Sequence, residues 1–137
     1  MFEISSVSVQ FFAILLTAIV AVSIHFHNKK HPKEMAKDET LIVSVDVTNA
    51  GAIAAKEVVQ LYIKDLIGSV IRPDKELKGF QKIELNPGET KTVEFTITPE
   101  MLKFTGLEMK PVLEAGDYHV MLGTSSVDYQ TKSFKLK

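Results

Sequence analysis

Hydrophobic and polar residues alternate along most of this chain from Thr40 onward. In the run LIVSVDVTN, residues 41–49, every second position is aliphatic and the intervening positions are mostly Ser, Asp or Thr. A period of two is typical of a β-strand with one buried face. The same alternation recurs in KEVVQLYIKD (56–65), TKTVEFTIT (90–98) and DYHVMLGTSS (117–126). The pattern therefore predicts a succession of short strands.

The alternation also predicts which side chains form the core. The second run has apolar residues on both faces, so we expect it to be a central strand of its sheet. The expected inward residues are Leu41, Val43, Val45, Val47, Val59, Leu61, Ile63, Val93, Phe95, Ile97, Tyr118, Val120, Leu122, Phe134 and Leu136.

Turn residues separate these runs. Asn49-Ala50-Gly51 and Ala115-Gly116-Asp117 have turn composition, and Asn86-Pro87-Gly88-Glu89 suits a type II turn because proline and glycine occupy its two central positions. Pro99–Leu102 is expected to form one helical turn, with Thr98 as its N-cap. The chain thus alternates between strands and turns and contains no long helix after residue 40.

The segment KELKGFQKIEL, residues 75–85, departs from strict alternation. Leu77 and Phe80 lie three residues apart, and if both point inward an extra residue must lie between them. We therefore predict a β-bulge at Lys78-Gly79, with core contacts from Leu77, Phe80, Ile83 and Leu85. The preceding Arg72-Pro73-Asp74 is expected to form a loop.

The fold class follows from these elements. Six or seven short strands without crossover helices exclude a βαβ fold. They predict an all-β, antiparallel β-sandwich of about seven strands, of the immunoglobulin or fibronectin type III-like kind. A further strand is expected over residues 107–113, weakened by Pro111.

The N-terminal part of the chain is different in character. Residues 4–24 carry no charged side chain, and as a helix at about 1.5 Å per residue they would span a bilayer core of about 30 Å. We expect an N-terminal apolar helix, which is a single-pass membrane anchor, a cleaved secretory signal or a segment foreign to the domain. We therefore divide the chain into an apolar segment with a charged linker, residues 1–38, and a β-domain, residues 39–137.

The location of the β-domain depends on which of these alternatives holds. Lysines follow the apolar run, and the positive-inside rule then favours a membrane anchor with the β-domain in the cytoplasm. A signal would instead deliver a secreted or extracytoplasmic domain. The lysines concerned are Lys29, Lys30, Lys33 and Lys37.

Composition excludes several functions. The chain has 16 basic and 17 acidic residues and no cysteine, so a nucleic-acid partner is not expected and thiolate chemistry is excluded. His25, His27 and His31 are loosely spaced and no nearby carboxylate or thiol completes a metal site. We expect no metal and no cofactor.

The order of motifs resembles a known family. VTNAG, AKEVVQLYIKD, IRPDKELKGFQKIELNPGETKTVEFTIT and EAGDYHVMLGTSS occur in the order and spacing of the fibronectin type III-like domain at the C-terminal end of family 3 glycoside hydrolases, the β-glucosidases and β-xylosidases. The resemblance covers residues 40–137. It departs from the family at Thr105-Gly106, where an aromatic pair is usual, and at Lys110-Pro111, where a tryptophan is usual.

The resemblance implies an accessory role, since the catalytic Asp and Glu of that family lie on other domains. Two carboxylate pairs are candidates for chemistry by this chain, Glu57 with Asp65 and Asp74 with Glu76, but retaining hydrolysis needs two carboxyl groups about 5 Å apart with one raised pKa. We expect surface carboxylates instead, and hence no catalytic residue.

Two functions remain open. The first is a non-catalytic module that contacts the catalytic domains of a family 3 glycoside hydrolase, in cis or missing. The second is a membrane-tethered binding or adhesion module for a protein or a glycan, with Tyr62, Phe104 and Tyr129 as candidate aromatic contacts. For the first function the expected inter-domain contact consists of Arg72, Pro73, Lys75, Glu76, Leu77, Lys78 and Phe80.

Overall fold

The computed structural model describes the backbone of residues 19–27 and all atoms of residues 33–137. These residues form strands joined by turns and one short helix, α1 (Pro99–Leu102). In chain order the strands are β1 (Ile19–His27), β2 (Glu34–Met35), β3 (Leu41–Asn49), β4 (Ala55–Asp65), β5 (Glu76–Leu85), β6 (Thr90–Ile97), β7 (Phe104–Thr105), β8 (Pro111–Val112), β9 (Gly116–Gly123) and β10 (Tyr129–Leu136).

The strands form two main sheets. One has three strands in the order β1-β3-β6, and the other has five in the order β2-β10-β9-β4-β5. Neighbouring strands are antiparallel, except that the short β2 runs parallel to β10. β7 and β8 form a separate two-stranded ribbon. The predicted all-β antiparallel sandwich is confirmed, with β4 between β5 and β9 as its residue pattern indicated.

The core lies between the two main sheets. All fifteen residues that alternation placed inward belong to it, and the rings of Tyr118 and Phe134 stack with centroids 5.5 Å apart. Met35, Leu85 and Leu102 complete the buried set. Removing apolar surface of this extent from water is the main stabilising contribution in a domain without disulfides.

β5 confirms the bulge but not the side chains assigned to the core. Gly79 lies opposite Leu61 while Leu77 lies opposite Tyr62, so Lys78 is the extra residue. Gly79, not Phe80, takes the inward position, where a Cβ atom would lie 3.5 Å from the Phe95 ring. The prediction that Leu77 and Phe80 are core residues was wrong, because the bulge returns both to the outer face.

Ile83 and Leu85, by contrast, do contribute to the core as expected. Leu85 is fully buried and Ile83 packs against the buried cluster while remaining half-buried. The inward face of β5 is therefore apolar only toward its C-terminal end. The other end of the strand leads into the charged loop described below.

The turn predicted at residues 86–89 is confirmed, whereas the turn predicted at residues 115–117 was wrong, because Gly116 and Asp117 begin β9. Gly88 has a φ of 73°, as the third residue of a type II turn requires, and the Glu89 amide donates to the Asn86 carbonyl at 3.0 Å. Pro99 begins α1 as predicted, although the Thr98 side chain makes no capping hydrogen bond.

The strand expected over residues 107–113 was wrong in its extent. Only Pro111 and Val112 pair with the preceding segment, and residues 106–109 form a turn closed by the Met109 amide and the Gly106 carbonyl at 3.0 Å. Proline at position 111 donates no ladder hydrogen bond, which limits the pairing to this short ribbon.

The apolar N-terminal segment departs from the prediction where the structure describes it. Ile19–His27 forms β1, which pairs with β3 along its length, so the predicted helix does not continue to residue 24. Isoleucine and valine favour extended backbone, and the edge of β3 offers unpaired amides and carbonyls. Residues 4–18 of the predicted anchor, and His31, lie outside the described residues. Among those described, no helix is long and apolar enough to cross a membrane.

Asn49 ties together the loops at one end of the sandwich. Its buried side-chain amide donates to the carbonyls of Ile53 at 2.8 Å and Leu85 at 3.0 Å, and its side-chain oxygen accepts from the Gly51 amide. The Asn49 carbonyl also accepts from Gly88 at 2.8 Å. One residue at the end of β3 thus holds the β3–β4 loop against the β5–β6 turn.

We expect Asn49→Ala to lower the free energy of unfolding by about 2 to 3 kcal/mol, because it leaves the buried Leu85 carbonyl and the part-buried Ile53 carbonyl without donors. The exposed Asn86 is the control, and Asn86→Ala should change stability by less than about 0.5 kcal/mol. Urea unfolding of both variants checks this. Equal losses in the two would contradict the role assigned to Asn49.

Candidate functional site

The loop between β4 and β5, residues 66–75, is organised around Arg72. Its guanidinium donates to the Glu76 carboxylate at 2.5 Å and lies over the Phe104 ring, 4.1 Å from the centroid. Only 12% of the Arg72 side chain is exposed. An ion pair with so little solvent access and a cation–π contact restrain the side chain more firmly than a surface ion pair would. Arg72 therefore attaches the loop to both β5 and β7.

Glu76 is shared between two cations. Lys78 donates to its other carboxylate oxygen at 2.8 Å. Partial burial opposes ionisation of Glu76, but the hydrogen bonds from Lys78 and Arg72 outweigh it and lower the pKa of the carboxyl below its usual value. The bulge residue Lys78 thus completes a triad with Arg72 and Glu76 in which the Glu76 carboxylate is stabilised.

A second connection joins the same loop to the segment before β9. The Glu114 carboxylate accepts from the Ser69 amide at 3.0 Å, and hydrogen bonds from the Ser69 side chain and backbone lower the pKa of Glu114. The Glu114 carbonyl accepts from the Tyr118 hydroxyl at 2.8 Å. A tyrosine near the start of this strand, bonded to backbone just upstream, is the tyrosine corner of immunoglobulin-like sandwiches.

These contacts bring two loops to the same end of the sandwich. We call this the loop end, made of the β4–β5 loop and the turn 106–110 between β7 and β8. Its tips carry Ile67, Ile71, Leu107 and Met109, and these residues are between 81% and 101% exposed. The β4–β5 loop also borders an open depression of about 660 Å³, lined by residues 64–74. An apolar surface of this kind marks an interaction site more often than a catalytic one.

Met109 has an unusual backbone conformation. Its φ is 58°, the only positive value among the described residues other than glycine. It closes a three-residue hairpin loop, a type I turn followed by a left-handed residue, and glycine is the usual choice at that position. A methionine there is strained by its Cβ atom.

The residues predicted as an inter-domain contact separate into two groups. Arg72, Lys75, Glu76 and Lys78 are half-buried and occupied with intramolecular contacts. Pro73 is exposed in the loop, and Leu77 and Phe80 are 52% and 67% exposed on the outer face of β5. The charged members therefore hold the loop, and the apolar members face outward.

The outer face of the five-stranded sheet adds a second apolar area. Leu77 lies opposite Tyr62, which lies opposite Met121, so the three share this face. Met121 is buried although it is not part of the core. Phe80 lies beside Gln60 in the same face.

Neither candidate carboxylate pair has the geometry of a glycosidase. Glu57 and Asp65 lie near opposite ends of β4, which separates them by about 26 Å at the usual rise per residue. Asp74 and Glu76 are each paired with lysine or arginine, and a hydrogen bond from Lys64 lowers the pKa of Asp74. A general acid needs a raised pKa, so these shifts have the wrong direction.

The aromatic residues proposed for a glycan contact are all half-buried. Arg72 covers Phe104, Lys75 lies 5.3 Å from the Tyr129 centroid, and the Tyr62 hydroxyl donates to Gln60 at 2.5 Å. Among the described residues, no group of three His, Asp or Glu side chains is placed to hold a metal ion.

Comparison with known proteins assigns the family. The model of the fibronectin type III-like domain matches residues 57–126, about half of the chain. The chain belongs to this family. The match runs from β4 through the β9–β10 turn, and so includes Arg72, Glu76, Phe104 and Met109.

The relatives of this fibronectin type III-like domain are glycosidases. It is 68% identical over 109 residues to a putative β-xylosidase of Formosa agariphila, which covers 80% of this chain and 14% of the relative. It is 44% identical over 102 residues to the periplasmic β-glucosidase of Salmonella typhimurium, covering 74% and 13%. The structure of a β-glucosidase from Erythrobacter marinus superposes with a TM-score of 0.81 at 35% identity, covering 88% and 16%.

These comparisons confirm the resemblance to the C-terminal domain of family 3 glycoside hydrolases. The chain spans about one seventh of the length of the relatives it matches. The activity of those whole proteins therefore does not transfer to this chain.

Sequence reasoning missed part of the loop end. It placed Leu107 in a strand and assigned no role to Met109, Ser69 or Glu114. The glycine at position 106 and the proline at 111 are the signals that a tight turn lies between them. The pairing of Arg72 with Phe104 joins residues far apart in sequence and leaves no local signal.

We expect Met109→Gly to raise the free energy of unfolding by about 1 kcal/mol, since glycine adopts a positive φ without a Cβ clash. Met109→Ala is the matched control, because it shortens the side chain but keeps the strain. Urea unfolding distinguishes the two. A gain in the alanine variant equal to that in the glycine variant would contradict the strain at Met109.

Tyr118 should ionise at a higher pH than an ordinary tyrosine. Burial and the nearby Asp65 carboxylate raise its pKa to about 12, from the usual tyrosine value of 10.0. The folded state therefore favours the neutral phenol, and its contribution to stability is complete below pH 10 and is lost as pH rises toward 12.

Absorbance at 295 nm against pH should show one of the three tyrosines titrating near pH 12, and Tyr118→Phe should remove that step. Tyr62→Phe is the control and should leave it. Ionisation of all three tyrosines near pH 10 in the folded protein would show that Tyr118 is not buried as described.

Proposed function

We propose that this domain is a non-catalytic accessory module that packs against the catalytic part of a family 3 glycoside hydrolase acting on β-xylosides or β-glucosides. One observation carries the proposal: a region that is 68% identical to this chain over 109 residues forms 14% of a putative β-xylosidase. The module then acts by burying apolar surface at a contact with a much larger neighbour.

The geometry of the domain supports a role without chemistry. Asp74 and Glu76 are paired with cations and Glu114 accepts hydrogen bonds from Ser69, and the pKa values of all three carboxyls are lowered. A module of this kind provides shape and stability to the enzyme, while the carboxylates that cleave the glycosidic bond belong to the neighbouring domains.

The contact with the catalytic part includes, in this proposal, the segment from Arg72 to Phe80. Arg72, Lys75, Glu76 and Lys78 fix the backbone of the loop and the bulge. Pro73, Leu77 and Phe80 are then available to a neighbour, because none of the three is enclosed by the domain itself.

The proposed location is extracytoplasmic. The relative from Salmonella typhimurium is named a periplasmic β-glucosidase, which supports this location. The proposed location does not include a single-pass membrane anchor.

A domain exchange tests the proposal. The segment of the Formosa agariphila enzyme that matches this chain is replaced by the matching residues of this chain, and thermal unfolding and hydrolysis of an aryl β-xyloside are compared with the parent and with a segment deletion. We expect the chimera to unfold within a few degrees of the parent, and the deletion to unfold earlier or to be insoluble.

The isolated 137-residue chain should hydrolyse neither aryl β-xylosides nor aryl β-glucosides. Turnover by the chain that Glu76→Gln or Asp74→Asn abolishes would overturn the non-catalytic assignment. A chimera that unfolds and expresses like the deletion would overturn the packing role.

A further inference from the structure

We propose that the loop end is the surface that docks on the catalytic part, with Ile67, Ile71, Leu107 and Met109 as its apolar contacts. This inference rests on the proposed function, because it names the docking surface of the same module. It differs from the segment Arg72–Phe80 in assigning the principal contact to the tips of two loops.

Exposed aliphatic residues are concentrated at the loop end, which carries four of the five described hydrophobic residues that are more than 80% exposed; the fifth, Val127, lies alone in the β9–β10 turn. The four aliphatic side chains have almost no contact with the domain, whereas Leu77 and Phe80 on β5 are one third to one half covered. Hydrophobic side chains this exposed and grouped at one end cost solubility, and they are retained where a partner covers them.

The two loops are held in fixed positions, as a docking surface requires. Arg72 binds Phe104 in β7, directly before the turn that carries Leu107 and Met109, and also binds Glu76 at the start of β5. The Ser69 amide, between Ile67 and Ile71, donates to Glu114. Docking preordered loops avoids the entropic cost of fixing mobile ones.

The chemistry of the loop end fits a protein partner. Its tips carry the four exposed aliphatic side chains, and the exposed Glu108 and Lys110 beside them form an ion pair at 3.9 Å. The two neighbouring rings, Phe104 and Tyr129, are covered by Arg72 and Lys75. A glycan would need an exposed ring to stack on. The charges near the tips are paired within the domain, as in Lys64 with Asp74 and Arg72 with Glu76, so an apolar protein surface is favoured over a charged one.

The occupant follows from the comparisons. In the two relatives described above, the matching region is 13% to 14% of the protein, so a domain of this kind lies beside a body about six times its size. The catalytic part of a family 3 glycoside hydrolase is therefore the proposed occupant, and a second copy of this chain is the alternative to be tested.

Met109 provides a second, independent observation. Its positive φ makes the domain less stable than a glycine at this position would. A strained methionine that is also fully at the surface has no stabilising contact in the domain to offset the strain. Contact with the partner protein would explain why a methionine occupies this strained position.

The test uses the same chimera with the Formosa agariphila enzyme. One variant combines Ile67→Ser, Ile71→Ser and Leu107→Ser; a second carries Met109→Gly alone. The control combines Ile53→Ser and Val127→Ser, two aliphatic residues that are 58% and 87% exposed in other loops. Thermal midpoints are measured for each variant in the chimera and in the isolated chain.

We expect the triple variant to lower the midpoint of the catalytic part by several degrees in the chimera and to leave the isolated chain within about 1 °C. Met109→Gly should raise the midpoint of the isolated chain while lowering that of the catalytic part. Opposite shifts of this kind arise only if Met109 serves a contact outside the domain. The control variant should change neither of these two midpoints.

Other outcomes separate this inference from the proposed function. If Leu77→Ser with Phe80→Ser destabilises the catalytic part and the triple variant does not, the loop end is overturned and the packing role stands. If no variant changes the thermal midpoint of the catalytic part, and the chimera unfolds at the same temperature as the segment deletion, the proposed function itself is overturned. Concentration-dependent dimerisation of the isolated chain that the triple variant abolishes would assign the surface to a second copy and overturn the proposed occupant.

Discussion

The position of Arg72 between the Glu76 carboxylate and the Phe104 ring is the interaction on which the loop end depends. Its guanidinium connects a loop of one main sheet to the β7–β8 ribbon, two parts that share no backbone ladder in the described structure. An arginine suits this role because its planar group binds a carboxylate along its edge and stacks on a ring with its face. The contact from the Ser69 amide to the Glu114 carboxylate joins the β4–β5 loop to the segment before β9 instead.

In this sandwich, the residues that stabilise the fold are different from those proposed to contact a partner. Inward side chains of both sheets, together with Asn49 and Tyr118, specify the fold and the ends of the strands. The charged residues near β5 add restraint and little hydrophobic stabilisation. Four of the five described hydrophobic residues that are more than 80% exposed lie at the loop tips, a distribution expected of a module that has an interface there.

Alternation predicted the fold well and the site only in part. Each residue placed inward on β3, β4, β6, β9 and β10 is buried, because period two translates directly into faces of a sheet. It failed at Leu77 and Phe80, since a bulge reverses the faces and its effect depends on the register with β4. Arg72 and Phe104 were each named, but for separate contacts, and their pairing was not predicted because it forms only in the tertiary structure. The apolar run near the N-terminus predicted a helix, whereas residues 19–27 pair with β3, an effect of a neighbouring strand edge that composition does not reveal.

Amide hydrogen exchange of this domain, alone and joined to the catalytic part of the Formosa agariphila enzyme, tests the central claim most directly. If the loop end docks, exchange in residues 66–71 and 106–110 slows in the joined protein, while residues 124–128 of the β9–β10 turn exchange as they do in the isolated chain. Unchanged exchange at the loop end, with slowing at the outer face of β5 or nowhere, would contradict the account.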